Sequence, residues 1–351
     1  MYRKSKGILG LISLLLSLEC MAGFNDGPYV FIHQDGYKAA QICDGEKREF
    51  MIVEGKDFDY CGQQIRLNLT PIEPNDTHYK GDFPVVALSD IHGQHTIMMQ
   101  LLKANQVVDQ NGSWIFNKGH LVITGDIFDR GSQVTETLWY IKWLEAEALK
   151  AGGRVHFLLG NHEAMVLNGD LRYLHIKYRQ TAMVLAQPFE QLFSKNSVLG
   201  RWLRQKNTVV EINGNLFLHG GLHPETLKLN LSLKEMNRIF RKELVVKEQG
   251  SQGRSDLGRF LYGTDGPLWY RGFFAETPSA NFAQLQAHFS VERFIVGHTS
   301  HKEVVSRYNG RIIGIDSSIK LGHKGELLLI DKGRYWRADM QGNRTQLNIE
   351  K

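Results

Sequence analysis

Three stretches of the chain share one pattern, a short apolar run that ends abruptly in a polar cluster. Val85-Val86-Ala87-Leu88 runs into Ser89-Asp90-Ile91-His92-Gly93. Leu121-Val122-Ile123-Thr124 runs into Gly125-Asp126-Ile127-Phe128-Asp129-Arg130-Gly131, and Val155-His156-Phe157-Leu158-Leu159 into Gly160-Asn161-His162-Glu163. A short apolar run, rich in β-branched residues and bounded by glycine, predicts a buried strand. Between the runs the period changes. Residues 94–105 place apolar side chains at 97, 98, 101, 102 and 104, and 133–150 form a second amphipathic stretch that ends before Gly152-Gly153. Asp90 to Asp126 is 36 residues and Asp126 to Asn161 is 35, about one strand–crossover–strand unit each. In such a sheet the polar clusters fall at the carboxyl ends of neighbouring strands, where open α/β sheets bind their ligands.

The flanking regions read differently. Residues 23–80 hold short runs at 29–33, 39–43, 49–53 and 64–69, broken by Gly and Asp, and predict a small β-rich appendage of antiparallel strands. Pro71, Pro74 and Pro84 mark the way out of it. Residues 81–351 then form the main domain. Asn111-Gly112 predicts a turn between 107–108 and 114–116. Residues 164–205 read as a long helical stretch interrupted at Gly169 and Pro188. Asn213-Gly214, between 208–212 and 216–219, is the strongest hairpin signal of the chain. A helix is expected over 231–248, a polar loop over 250–258 and a strand over 293–298. Short runs with turns at Asn309-Gly310, His323-Lys324-Gly325 and Lys332-Gly333 close the sequence. The fold class is thus mixed, α/β around the three motifs and α+β beyond them.

Composition adds exclusions. With 42% hydrophobic and 23% charged residues the chain has the make-up of a folded protein. A net charge of +5, without a run of five basic residues, gives no reason to expect a nucleic-acid partner. Residues 1–22 have a basic start (Arg3, Lys4, Lys6), an apolar run over 8–18 too short to span a bilayer, and small residues at Cys20 and Ala22. That is the form of a secretory signal peptide cleaved after Ala22. A periplasmic or secreted protein without stable membrane association is the expectation. Cys43 and Cys61 would then remain, either as one disulfide or as two free thiols.

The chemistry lies in the strand ends. Asp90 and His92, two apart on a turn, can reach one cation, and Asp126 on the next strand is placed to bridge to a second. Asn161 offers a neutral oxygen. Two more imidazoles follow apolar strands beside glycine: His219 in Leu218-His219-Gly220-Gly221 and His298 in Val296-Gly297-His298-Thr299. Hard oxygens with imidazoles suit two divalent cations, and Mn, Fe, Zn, Mg and Co all remain open. Any one strand-end Asp or His is more often a cap or a turn residue. The joint pattern carries the reading.

These motifs resemble the GDxHG, GDxxDRG and GNHE signatures of the calcineurin-like metallophosphoesterases. The Asp-Arg-Gly form at 129–131 resembles the phosphoprotein phosphatase branch. Leu167-Asn168-Gly169-Asp170-Leu171-Arg172-Tyr173 and Gly266-Pro267-Leu268-Trp269-Tyr270-Arg271-Gly272 resemble its Shewanella-like subgroup. Ser89 stands where the family usually has Gly, and Ser300 where relatives outside the phosphoprotein branch place a further His.

The resemblance implies a central β-sandwich flanked by helices and a binuclear centre. Asp90, His92 and Asp126 would hold one ion, and Asp126, Asn161, His219 and His298 the other, with metal-bound water as the nucleophile. It implies that His162 protonates the leaving group, that Asp129 orients His162, and that Arg130, Arg271 and Asn161 contact the phosphate. Asp170, Arg172 and Tyr270 are further candidates for the pocket wall. Glu163 reads as a brace for its loop. Neither cysteine has an arginine at the spacing of a Cys-x5-Arg nucleophile loop, so phosphotyrosine cleavage would have to be metal-dependent. The implied substrate is a phosphorylated protein or a small phosphomonoester. The alternatives are a nucleotide pyrophosphohydrolase of the diadenosine tetraphosphatase type and a non-catalytic phosphoprotein-binding module.

Overall fold

A computed structural model describes residues 23–53, 55–65, 67–71, 73–275 and 282–349. The proposed signal segment, 1–22, lies outside the described residues. The first six-stranded sheet runs in the order 344–346, 334–339, 326–331, 85–88, 120–123, 154–157, and its last three strands are parallel. The second runs 305–307, 312–314, 293–296, 215–218, 209–212, 78–79, with 215–218, 293–296 and 312–314 parallel. The sheets face each other. Val85, Ala87 and Val122 of the first pack with Phe217, Ile295 and Ile313 of the second. The alternate residues, Val86, Leu88, Leu121 and Ile123, turn the other way into a core shared with the helices. Covering on both faces is why these strands are apolar throughout rather than alternating.

The helices of the first crossovers span His95–Ala104 and Val134–Lys150, within a residue of the expected bounds. The helical stretch after the third motif breaks where Gly169 and Pro188 predict, into Asn161–Leu167, Ile176–Leu185, a 3-10 turn at Phe189–Phe193 and Val198–Arg204. It begins earlier than expected, at Asn161. Glu163 at the third helical position accepts the Gly160 N–H at 2.7 Å and nucleates the first turn.

Other expectations are corrected. The helix expected to reach 248 stops at Glu243. There the Asn168 side chain donates to the Leu244 carbonyl and accepts the Val246 N–H, both at 2.8 Å, and draws the chain aside. The polar loop over 250–258 already contains a helix, Asp256–Leu261, because Glu243 takes the Ser255 N–H and Ser255 caps Gly258. Around Asn111-Gly112 only one bridge forms, Val108 to Trp114, since Asp109 accepts the Asn111 and Ser113 N–H groups itself. His78–Tyr79, expected in the appendage, pairs with Glu211–Ile212 of the second sheet.

The N-terminal strands 26–33, 36–43 and 46–52 form one antiparallel sheet, and 58–60 with 63–65 a hairpin. Cys43 and Cys61 are joined as a disulfide that ties the two. This sheet seats on the helices. Trp139 donates to the Pro28 carbonyl at 2.9 Å, and Asp26 accepts from Tyr29 and Thr181 at 2.7 and 2.6 Å. Among the described residues no helix is long and apolar enough to cross a membrane.

Candidate active site

Two of the three motif turns at the carboxyl end of the first sheet hold rare backbone. Asp90, His92, Asp126, Asp129 and Arg130 have φ of +53°, +45°, +59°, +70° and +66°, and His298, from the second sheet, has +61°. Each such residue costs about 1–2 kcal/mol against ordinary backbone, so the surroundings must enforce it. They do so by lacing the turns together. The Asp90 and His92 N–H groups donate to the carbonyls of Gly125 and Asp126, and Gly131 donates back to His92. The fully buried Glu163 carboxylate accepts the N–H groups of Asp126, Ile127, Phe128 and Gly160 at 2.7–3.4 Å. Gly125 and Gly160 meet back to back with no room for a Cβ on either.

This backbone gathers the candidate side chains around one oxygen. Asp126 Oδ2 lies 3.5 Å from His92 Nε2, 3.3 Å from His219 Nε2 and 3.8 Å from His162 Nε2. Two groups of donors share Asp126: His92, Asp126 and His162, and Asp126, His219 and His298. Within each, the donor atoms lie within 4.8 Å of one another. Asn161 Oδ1 is 2.8 Å from His219 Nε2, and His298 Nδ1 is 3.1 Å from the same nitrogen. Asp90 Oδ1 is 3.9 Å from His92 Nε2, while its Oδ2 accepts from Ser89 Oγ and the His298 N–H at 2.5 and 2.9 Å. All six expected ligands therefore converge, from both sheets.

The imidazoles are oriented by main-chain carbonyls, which can only accept. His92 Nδ1–H donates to Phe128 O at 2.7 Å and His219 Nδ1–H to Thr124 O at 2.8 Å. His298 Nε2–H donates to Trp269 O at 3.1 Å. Each ring thereby turns its other nitrogen to the centre, as metal-binding histidines do. Burial lowers His92 to about 3 even though Asp126 pulls the other way, and burial, followed by His219, lowers His298 to about 2. Burial raises Asp90, helped by Asp316 and Asp126. Burial would lower His219, yet Asp126 outweighs it and holds a proton there up to about 9. The unprotonated nitrogens of His92 and His298 and the buried carboxylates face one point, and the proton held on His219 shows how strongly that point draws positive charge, so these residues fit a cation site.

His162 differs. Its Nδ1 is 2.5 Å from Asp129 Oδ2, and its N–H donates to Asp126 Oδ1 at 3.0 Å. Burial lowers its pKa, but Asp126 and Asp129 more than reverse this and raise it. It is the one site imidazole fixed through a carboxylate rather than a carbonyl, and it keeps a proton to give. Arg130 and Arg271 are exposed at the rim. Arg271 Nη1 donates to the His298 carbonyl at 2.5 Å. Two residues expected in the wall lie at its outer edge, with the Arg172 guanidinium 5.7 Å from the ring of Tyr173. Asp170 and Arg172 pair with each other on the surface at 2.8 Å, which exposed ion pairing explains. Tyr270 is buried between His223 and Phe273. Sequence reasoning quoted Tyr173 but gave it no role, although its ring lies 5.4 Å from that of His162. It also could not see the carbonyls that orient the imidazoles. Ser89, the departure from the family glycine, sends its hydroxyl to Asp90 and accepts one from Thr124.

Comparison with known proteins agrees with this geometry. A calcineurin-like phosphoesterase model matches residues 83–301. An uncharacterized protein of Schizosaccharomyces pombe is 30% identical over 255 residues, covering 69% of this chain and 75% of its own. Shewanella-like protein phosphatase 2 of Arabidopsis thaliana is 24% identical over 315 residues, 75% of this chain and 79% of its own. The crystal structure of the cold-active protein-tyrosine phosphatase of a psychrophilic Shewanella sp. superposes with a TM-score of 0.86 at 39% identity, over 92% of this chain and 99% of that one. The chain belongs to the calcineurin-like phosphoesterases and is a metallophosphatase with Shewanella-like protein phosphatases among its homologues.

Proposed function

We propose that the chain is an exported phosphomonoesterase with a two-cation centre, acting on phosphotyrosine or phosphoserine/threonine in proteins or small molecules. The observation that carries the reading is Asp126, shared by two donor groups, with the His162–Asp129 pair beside it. Asp90, His92 and Asp126 would hold one ion, and Asp126, Asn161, His219 and His298 the other. Bound there, divalent cations neutralise phosphate charge and acidify water.

The chain's own groups do the rest. Arg130 and Arg271 reach from the rim to phosphate oxygens. As the ester P–O bond breaks, His162 Nε2 gives its proton to the leaving oxygen, and Asp129 stabilises the ring throughout. Hydrolysis returns an alcohol or phenol and inorganic phosphate. The disulfide supports an oxidising compartment, in keeping with export.

The test is a turnover panel of phosphotyrosine, phosphoserine, phosphothreonine and a dinucleoside tetraphosphate, with metal content measured on the same sample. Hydrolysis of a monoester by metal-loaded protein is expected. Cleavage of the dinucleotide alone contradicts the substrate class, and binding of phosphopeptide without turnover contradicts catalysis.

A further inference from the structure

We propose that Tyr173 is a specificity-determining residue whose ring face receives the aromatic leaving group of an aryl phosphate. The inference rests on the phosphatase reading above and deepens it.

Tyr173 follows the third motif and lies at the mouth of the site. It is 44% exposed, whereas Tyr270 is 6% exposed and already packed against His223 and Phe273. Its ring is 5.4 Å from the His162 ring, tilted by 47°. Its carbonyl accepts the Arg130 N–H at 3.0 Å, so the Tyr173 backbone and the strained 126–131 turn are one unit.

A leaving oxygen must come within hydrogen-bond reach of His162 Nε2 to take its proton. A phenyl ring attached to that oxygen then falls beside Tyr173, in the range of about 4.5–7 Å at which aromatic rings attract. A serine or threonine puts only a short aliphatic group there.

Two cations flank the ring. The Arg130 guanidinium carbon is 5.0 Å from its centroid and that of Arg172 5.7 Å. Arg172 is fixed by three contacts to Asp170 and stays as a side wall. Arg130 has no such clamp from its contact with the ring, and such contacts are weak at exposed positions. A phosphate drawing Arg130 forward uncovers the face that the leaving group would occupy. Binding phosphate and admitting an aryl ring thus become one motion of one side chain.

The experiment measures kcat/KM for an aryl and an alkyl phosphate, phosphotyrosine and phosphoserine, on full-length metal-loaded wild type, Tyr173→Leu and Tyr173→Phe. The ratio of the two values is the readout, because it is unaffected by the fraction of active enzyme. Tyr173→Leu is expected to lower the aryl-to-alkyl ratio by about threefold to tenfold, mainly through KM for the aryl ester, and Tyr173→Phe to keep it. A ratio within twofold of wild type in Tyr173→Leu overturns the proposal while leaving the phosphatase reading intact. A wild type that cleaves neither ester overturns both.

Discussion

Two clusters of buried imidazoles, one where the carboxyl ends of both sheets meet and one within the first sheet, do opposite things. At the carboxyl end His92, His162, His219 and His298 meet carboxylates on left-handed backbone. Within the first sheet His120, at the start of its strand, meets His156 of the next strand, Nδ1 to Nε2 at 3.0 Å, among Tyr79 and Phe83. Phe83 stacks flat on His120 at 3.9 Å. The charges acting on this second pair are cations, Arg154 and Lys206. Burial, then these cations, pushes His120 to about 4 and His156 well below its ordinary value. Both groups are buried and both are imidazole. What separates a site from a core is the company: carboxylate oxygens, carbonyls that fix the tautomer, and strain that only function would retain.

The comparison breaks most visibly under paired substitution. His162→Gln removes the proton donor and is expected to lower kcat about 10²–10⁴-fold while metal content stays at the wild-type level. His156→Leu, in the cation-flanked cluster, is expected to leave kcat within twofold. Steady-state kinetics with metal analysis checks both, and wild-type turnover in His162→Gln would end its assignment as the acid.

A smaller effect sharpens the same contrast. Unfolded histidine titrates near 6.5, and His120 and His156 titrate lower in the folded protein. As pH falls from about 6.5 towards about 4, the unfolded chain takes protons that the native pair refuses. Stability is therefore full above that window and is lost through it. The double variant His120→Leu/His156→Leu should lose less stability than wild type between pH 7 and 5, by on the order of 2 kcal/mol. Urea unfolding of metal-loaded protein at the two pH values measures this. Equal acid losses in both proteins would show that the pair is not the cause.

The legibility of the chain follows the range of the forces involved. The parallel strands and their helices were readable because their apolar periods are local, and Asp90, His92, Asp126 and Asn161 because a strand end displays its polar cluster in sequence. His219 and His298 were found through the glycines beside them. Gly297, for instance, faces Ser89 and Asp90 with no space for a side chain. What stayed hidden depends on distant partners. The early stop at Glu243 is set by Asn168, and the stacking of His120 by Phe83. Tyr173 stands out through the closeness of its ring to the His162 ring and the Arg130 guanidinium, which no pattern of residue types records.

The central claim is that one site needs both sheets and holds two ions around Asp126 Oδ2. Metal stoichiometry per chain, measured by elemental mass spectrometry on wild type and His298→Ala, tests it most directly. The expectation is two ions per chain in wild type, and about one in the variant with hydrolysis largely lost. A fully active wild type with a single ion, or a variant that still holds two, would contradict it.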